Sequence, residues 1–318
     1  MTPGYTDPLY LLPFDHRHSY LSGMFGWKEP LTPAQLAKVV DSKRLIYEGF
    51  LLSLGRGVPA AHAGILVDEE FGTEVLRDAK ARGAITALSV ESSGSDEFQF
   101  EYGDDFAAHI EAFDPSFAKV LVRFNPQGDA ALNARQTERL VRLSAWCRAH
   151  AQKLMFELLM PATPAQLAQA GGEAAAYDLH QRPGLMIEAV TALQTSGVEP
   201  DVWKLEGLDR REDCERMVAV ARQGGRSEIG CIVLGRGADD AKVASWLATA
   251  ASVPGFIGFA VGRTSFWQPV MAFEKGTATR HEAAGRIADH FREWVAIFEG
   301  ANSETRHSKS GASKGARP

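Results

Sequence analysis

The chain has 318 residues, of which 45% are hydrophobic and 23% are charged, which is the profile of a folded globular protein. Its net charge of −6, from 34 basic and 40 acidic residues, argues against nucleic acid as a partner. No apolar run approaches the roughly 20 residues that a membrane-spanning helix needs, and the N-terminus does not resemble a secretory signal.

Eight short apolar segments bounded by turn residues are predicted as β-strands. In chain order they are residues 9–15, 63–68, 85–91, 118–125, 153–160, 201–206, 230–235 and 255–262. Amphipathic stretches between them predict helices, the first of which starts with Thr32 as N-cap and Pro33 in the first turn and ends at Gly55. Strands that alternate with helices form parallel βαβ units, and eight units predict a (β/α)8 TIM barrel.

An open, doubly wound sheet is the alternative arrangement of such units. It would normally carry a glycine-rich turn after its first strand. The first predicted strand leads instead into Asp15-His16-Arg17-His18, so we favour the barrel. We assign residues 1–300 to a single barrel domain. Residues 301–318 are polar and rich in Gly, Ser and Lys, which predicts a disordered tail.

Strands four to six of the predicted barrel carry charged residues within apolar surroundings. If Trp203 faces the helices, Lys204 and Glu206 point into the barrel, and Lys119 and Glu157 can point the same way. A lysine near another cation and apolar walls has a lowered pKa, which favours the neutral amine that attacks a ketone. Glu157 would then hold the amine or transfer protons. The alternative is a structural ion pair of Lys204 with Glu157 or Glu206.

Glycines after strands seven and eight predict a phosphate site, because backbone N–H groups can approach an anion closely there. The two segments contain Gly235-Arg236-Gly237 and Gly262-Arg263, and the Arg263 guanidinium would clamp the anion. A Schiff-base lysine together with a phosphate site describes a class I aldolase that acts on a sugar phosphate.

A metal site is the alternative kind of active site. His16 and His18 end the first strand, and such a pair can hold a metal in amidohydrolase-type enzymes. That site would also need histidines at the ends of strands five and six, where the chain has Glu157 and Lys204. We therefore expect no metal and no other cofactor. The three cysteines lack CxxC spacing, which fits a reducing compartment, so we expect a cytoplasmic protein.

Seven motifs carry a family resemblance. They are LLPFDHR, GILVDEEFG, LSVESSG, FELLMP, GVEPDVWKLEG, VLGRGAD and GFAVGRTSFW, in this order. Over about residues 8–299 the chain resembles the 2-deoxy-5-keto-gluconate-6-phosphate aldolase domain of bacterial myo-inositol catabolism, in a free-standing form without the sugar kinase. It is more distantly similar to the tagatose-1,6-bisphosphate and sulfofructose-1-phosphate aldolases. The resemblance implies cleavage of 2-deoxy-5-keto-D-gluconate 6-phosphate to dihydroxyacetone phosphate and malonate semialdehyde.

The resemblance also implies roles for individual residues. Lys204 matches the Schiff-base lysine, Glu157 the proton-transfer glutamate, and Lys119 a further catalytic lysine on strand four. Asp15 and Arg17 match a substrate-contacting pair, and Arg263 matches the phosphate-binding arginine. The full predicted substrate-binding set is Asp15, Arg17, Glu91, Arg236, Gly237, Gly262 and Arg263.

Three points stay open at this stage. In the tagatose-bisphosphate relatives a serine begins the loop after strand seven, where this chain has Gly235-Arg236-Gly237, and the extra arginine indicates a differently charged end of the substrate. An aldolase for a tagatose, fructose or sulfofructose phosphate, and a non-catalytic sugar-phosphate-binding domain, are the alternative functions. The sequence does not decide whether the protein forms a homo-oligomer.

Overall fold

The computed structural model describes residues 3–312, and the side chains of residues 3–303. The strands are β1 (Leu9–Pro13), β2 (Ala63–Val67), β3 (Ile85–Ser89), β4 (Phe117–Arg123), β5 (Lys153–Leu159), β6 (Val202–Glu206), β7 (Gly230–Leu234) and β8 (Phe256–Ala260). All are parallel, and they close into a barrel in chain order because β8 pairs with β1. The predicted (β/α)8 TIM barrel is confirmed.

Helices follow the strands around the outside of the barrel. They are α1 (His18–Tyr20), α2 (Pro33–Gly55), α3 (Glu69–Ala81), α4 (Phe106–Phe113), α5 (Ala130–Ala149), α6 (Pro164–Gln169), α7 (Ala174–His180), α8 (Arg182–Thr195), α9 (Arg211–Ala221), α10 (Asp240–Ala251), α11 (Arg263–Glu274) and α12 (Arg280–Ala312). A π-helical turn, Leu21–Phe25, and a 3-10 turn, Gly103–Asp105, complete the set. Thr32 caps α2 with a capping box to Gln35, and Pro33 opens it, as predicted. Among the described residues, no helix is both long enough and apolar enough to cross a membrane.

The strands place successive side chains alternately inside and outside the barrel. Val202 belongs to the apolar cluster inside the barrel, together with Phe117 and Met155. Trp203 and Leu205 belong to the separate core between the strands and the helices. The side chains two residues further along β4, β5 and β6 therefore also point into the barrel, and these are Lys119, Glu157 and Lys204.

The last helix, α12, packs against α2 on the outside of the barrel. An added Cβ at Gly49 of α2 would lie 2.5 Å from Ile287 Cγ2 of α12, so the two helices pack at the distance that only glycine allows. Helix α12 continues to Ala312, beyond the residue 300 boundary of the predicted tail. Extending a formed helix costs little where no proline interrupts it, which composition alone does not reveal. Residues 313–318 of that predicted tail lie outside the described residues.

Candidate active site

A cavity of about 390 Å³ opens at the carboxyl ends of the strands. Polar and glycine residues in its lining include Asp15, His16, Arg17, Glu91, Arg123, Glu157, Lys204, Arg236, Gly237, Gly262 and Arg263. Every site residue predicted from the sequence except Lys119 is in this lining. The fold therefore brings side chains from strands far apart in the sequence to a single cavity, at the end of the barrel where such enzymes carry their chemistry.

Lys204 and Glu157 form an ion pair at the bottom of the cavity. The two residues are register partners on the adjacent strands β5 and β6, and Lys204 Nζ lies 2.6 Å from Glu157 Oε1. Behind them, the rings of Phe156 and Trp203 pack on the outer face with centroids 4.9 Å apart, which fixes the two strands against the helices. The pair is buried, yet it borders the cavity and is accessible to a ligand there.

Lys119 lies below the cavity and is the shared cation of three carboxylates. Its Nζ is 2.7 Å from Asp15 Oδ2, 2.6 Å from Glu91 Oε1 and 2.9 Å from Glu157 Oε2, and the side chain has no exposed surface. Burial lowers the pKa of Lys119, but the carboxylates of Asp15, Glu157 and Glu91 outweigh burial and raise it well above its ordinary value. Lys119 is therefore a permanent cation that holds the three acids in position.

The three acids differ in how strongly the nearby lysines counteract the effect of burial on their pKa. Burial raises the pKa of Glu157, but Lys119 and Lys204 together bring it below its ordinary value. The same competition leaves the pKa of Asp15 lowered. Burial prevails at Glu91, whose pKa is raised despite Lys119. Asp15 and Glu157 are thus carboxylates at neutral pH and can accept protons from a ligand or from Lys204.

Arg17 supports this cluster from the side. Its Nη1 donates to Glu101 Oε2 at 2.7 Å, and its Nη2 donates to the backbone carbonyl of Glu91. The Arg17 side chain is almost completely buried. Arg17 therefore joins the loop after β3 to the end of β1, in addition to lining the cavity.

Glu206 pairs with Arg236 and not with Lys204. Its Oε1 is 3.1 Å from Arg236 Nε, and its Oε2 accepts the backbone N–H of Met160 at 2.8 Å. Arg236 also donates to Asp178 Oδ2 at 2.7 Å. The positive charge of Arg236 is therefore largely neutralised within the protein.

Arg263 stands at the start of α11, on the β8 side of the cavity. Its guanidinium donates to the backbone carbonyl of Arg236 at 3.1 Å, and among the described residues it makes no ion pair within 4.0 Å. An added Cβ would lie 2.9 Å from the Arg263 guanidinium at Gly237 and 2.2 Å from the Pro13 carbonyl oxygen at Gly262. Close packing against backbone thus requires glycine at position 262, and the positive φ of 76° favours glycine at position 237.

His16 is a cavity residue to which the sequence analysis assigned no role in the aldolase reaction. The described part of the chain offers no hydrogen-bond partner to its Nδ1. His18 is exposed and begins α1, and its backbone N–H donates to Ser93 Oγ at 3.2 Å. Because β1 ends at Pro13, the two histidines lie beyond the strand, and the rule that alternate strand residues share a face does not apply to them. Within residues 3–303, no group of three or more His, Cys, Asp or Glu side chains is arranged to hold a metal ion.

His16 predicts a pH dependence of stability. Burial lowers its pKa in the folded protein to about 4, whereas an unfolded histidine has a pKa of about 6.5. Between these values the unfolded state binds the extra proton, so we expect the free energy of unfolding to fall as the pH decreases from 7 toward 5. Urea denaturation at several pH values measures this. In His16→Gln the decrease should be smaller, and an unchanged pH dependence would contradict the prediction.

Arg123 lies four residues after Lys119 on the same face of β4, and it is not among the predicted site residues. The structure puts it in the cavity lining, above Leu121. The signal was present in the strand alternation, which puts residues 119, 121 and 123 on one face. The sequence does not show that the cavity extends as far along β4 as residue 123.

A family model described as "Uncharacterized protein conserved in bacteria (DUF2090)" matches residues 3–302. The chain belongs to this family. No curated protein matches the sequence at a significant level.

Solved structures share the fold at low sequence identity. The fructose-bisphosphate aldolase of Plasmodium falciparum, in complex with TRAP and an inhibitor, has a TM-score of 0.61 at 11% identity, covering 95% of this chain and 98% of that chain. Cgl0159 from Corynebacterium glutamicum has a TM-score of 0.55 at 17% identity, covering 93% and 88%. A Schiff-base-forming fructose-1,6-bisphosphate aldolase has a TM-score of 0.53 at 13% identity, covering 89% and 93%. At these identities the similarity shows a common fold.

Proposed function

We propose that this protein is a class I aldolase that cleaves a keto-sugar phosphate through a Schiff base on Lys204. The observation that carries the proposal is the 2.6 Å contact of Lys204 with Glu157 at the bottom of an open cavity, with the Lys119 cation behind Glu157. A purely structural ion pair has no need to border a cavity. Here the nucleophile and a carboxylate that can take its proton both line one.

The proposed substrate is 2-deoxy-5-keto-D-gluconate 6-phosphate, and the products are dihydroxyacetone phosphate and malonate semialdehyde. The motif resemblance to aldolases of this substrate supports it. Two of the solved structures with the same fold are named as fructose-bisphosphate aldolases, which supports the reaction class. A tagatose, fructose or sulfofructose phosphate is the alternative substrate.

The proposed reaction proceeds through an iminium and an enamine on Lys204. Glu157 takes a proton from the Lys204 ammonium, and the amine attacks the C5 ketone. The C5 oxygen leaves as water after it gains one proton from the attacking nitrogen and the proton returned by Glu157. The resulting iminium withdraws the C3–C4 bonding electrons while a carboxylate removes the C3 hydroxyl proton, which releases malonate semialdehyde. The enamine is protonated at C4, and water hydrolyses the iminium to free dihydroxyacetone phosphate and Lys204. Lys119 keeps its charge throughout and maintains the carboxylate of Glu157.

The test of the proposal is cleavage of the substrate in the presence of EDTA. Release of dihydroxyacetone phosphate is followed by NADH oxidation with glycerol-3-phosphate dehydrogenase, and we expect turnover without added metal. Turnover that requires a divalent cation would contradict the Schiff base and indicate metal-assisted cleavage. Tight binding in calorimetry without any triose phosphate release would instead identify a non-catalytic sugar-phosphate-binding domain.

The phosphate end of the substrate is assigned to Arg263 and the backbone beside Gly237 and Gly262. A charge-assisted contact of this kind is worth about 1.5–3 kcal/mol. We therefore expect Arg263→Ala to raise KM by roughly ten- to a hundredfold. A larger loss in kcat than in KM would mean that phosphate binding orients the reacting carbonyl.

Arg236→Ala is the matched control for this assignment. Since Asp178 and Glu206 already neutralise Arg236, its removal should raise KM less than removal of Arg263. Steady-state kinetics on both variants give the comparison. An unchanged KM in Arg263→Ala would overturn the phosphate assignment, even if Lys204 forms the Schiff base.

A further inference from the structure

We propose that Arg123 binds a carboxylate at the end of the substrate opposite the phosphate, and so selects a keto-acid phosphate over a sugar bisphosphate. The inference rests on the proposed aldolase reaction at Lys204 and adds a specificity-determining residue to it.

The Arg123 guanidinium is available to a ligand. Its Nη1 donates to the backbone carbonyl of Ser95 at 3.1 Å. Among the described residues, the one carboxylate within 4.0 Å is that of Asp96, at 3.8 Å. The Asp96 side chain is 95% exposed and so is free to move away, and that of Arg123 is 40% exposed. Lys119 and Arg17, by contrast, are buried and already held at short distance by carboxylates.

The barrel topology puts Arg123 across the cavity from Arg263. In a closed barrel of eight strands in chain order, β4 and β8 are opposite, and β6 lies midway between them. Arg123 ends β4, Arg263 follows β8, and Lys204 is on β6. A substrate that spans the cavity therefore has its ketone near the middle and an anionic group at each end. In the proposed substrate, the ketone carbon is three bonds from the phosphorus and four bonds from the carboxylate carbon.

The two ends of the cavity differ in how much negative charge they can stabilise. The β8 end combines Arg263 with the N-terminus of α11 and open glycine backbone, which suits the dianionic charge of a phosphate. The β4 end has a single arginine that shares its charge with Asp96, and the hydroxyl-bearing residues Ser92 and Ser93 also line the cavity. One planar guanidinium with serine hydroxyls matches the single charge and flat geometry of a carboxylate.

The experiment is the reverse reaction, with dihydroxyacetone phosphate as donor and two acceptors that differ in one charge. The acceptors are malonate semialdehyde and its uncharged methyl ester. In Arg123→Gln we expect KM for malonate semialdehyde to rise by about ten- to a hundredfold, with KM for the ester unchanged. Arg216→Gln removes an equal charge from the exposed surface of α9 and should leave both KM values unchanged.

Borohydride trapping with dihydroxyacetone phosphate alone separates this inference from the proposed function, because this donor lacks the carboxylate end. An adduct in both wild type and Arg123→Gln shows that the Schiff base forms and that the variant is folded. No adduct in the wild type would overturn both proposals. Trapping with an unchanged KM for malonate semialdehyde in Arg123→Gln would overturn the role of Arg123 alone. A wild-type preference for glyceraldehyde 3-phosphate, lost in the variant, would overturn the carboxylate assignment in favour of a second phosphate.

Discussion

Lys204→Met will lower aldol cleavage by about four orders of magnitude or more, since it removes the only atom proposed to form a covalent bond with the substrate. Methionine has a similar length and no charge, so the apolar packing of β6 is retained. Glu157 keeps the Lys119 cation at 2.9 Å, and the carboxylate therefore does not lose its last counter-ion. The fold should survive, which circular dichroism and urea denaturation check.

Borohydride trapping gives the direct readout of this substitution. Wild-type protein with dihydroxyacetone phosphate should gain one covalent adduct in the intact mass, and Lys204→Met should gain none. Lys275→Met is the control, because Lys275 is an exposed residue at the C-terminal end of α11, and it should be trapped like the wild type. An adduct that persists in Lys204→Met would place the nucleophile on another lysine.

Lys119→Met will lower the free energy of unfolding by roughly 3–5 kcal/mol, which is the typical cost of removing one partner of a buried ion pair. The substitution leaves the carboxylates of Asp15, Glu91 and Glu157 buried without their shared cation. Urea denaturation at neutral pH measures the change. The loss should become smaller in acid, because protonation of the three acids removes the uncompensated charge.

Lys80→Met is the matched control for Lys119. Lys80 pairs with Asp114 at 2.6 Å, but both side chains are largely exposed, so the expected loss is within about 1 kcal/mol. If Lys119→Met lowered the free energy of unfolding as little as Lys80→Met does, the three carboxylates would have to be neutralised by other groups. The proposed function of Lys119 as the cation that maintains the Glu157 carboxylate would then be wrong.

Local sequence patterns were sufficient for the fold. Each strand is a short apolar run between turn residues, and burial of such runs on both faces is characteristic of parallel sheets. The start of α2 followed from Thr32 and Pro33, because capping is decided by residues within one turn. Helix α12 extends past residue 300, where the disordered tail was predicted to begin, because helix propagation depends on a preceding packed helix, which composition does not show.

The inward direction of Lys119, Glu157 and Lys204 also followed from sequence, since alternation along a strand decides which side chains enter the barrel. Alternation does not show how deep in the barrel a side chain lies or which side chain it contacts. Only the closed barrel shows that Lys119 lies below the cavity and that Glu206 pairs with Arg236.

The sequence by itself therefore determined the fold class, the strand positions and the inward direction of the charged side chains, because each depends on residues within a few positions of one another. The tertiary structure alone decided which charges meet. Asp15 and Lys119 are 104 positions apart in the chain and 2.7 Å apart in space. Such contacts depend on strand register and on barrel closure, which are properties of the whole chain and leave no mark in any short segment.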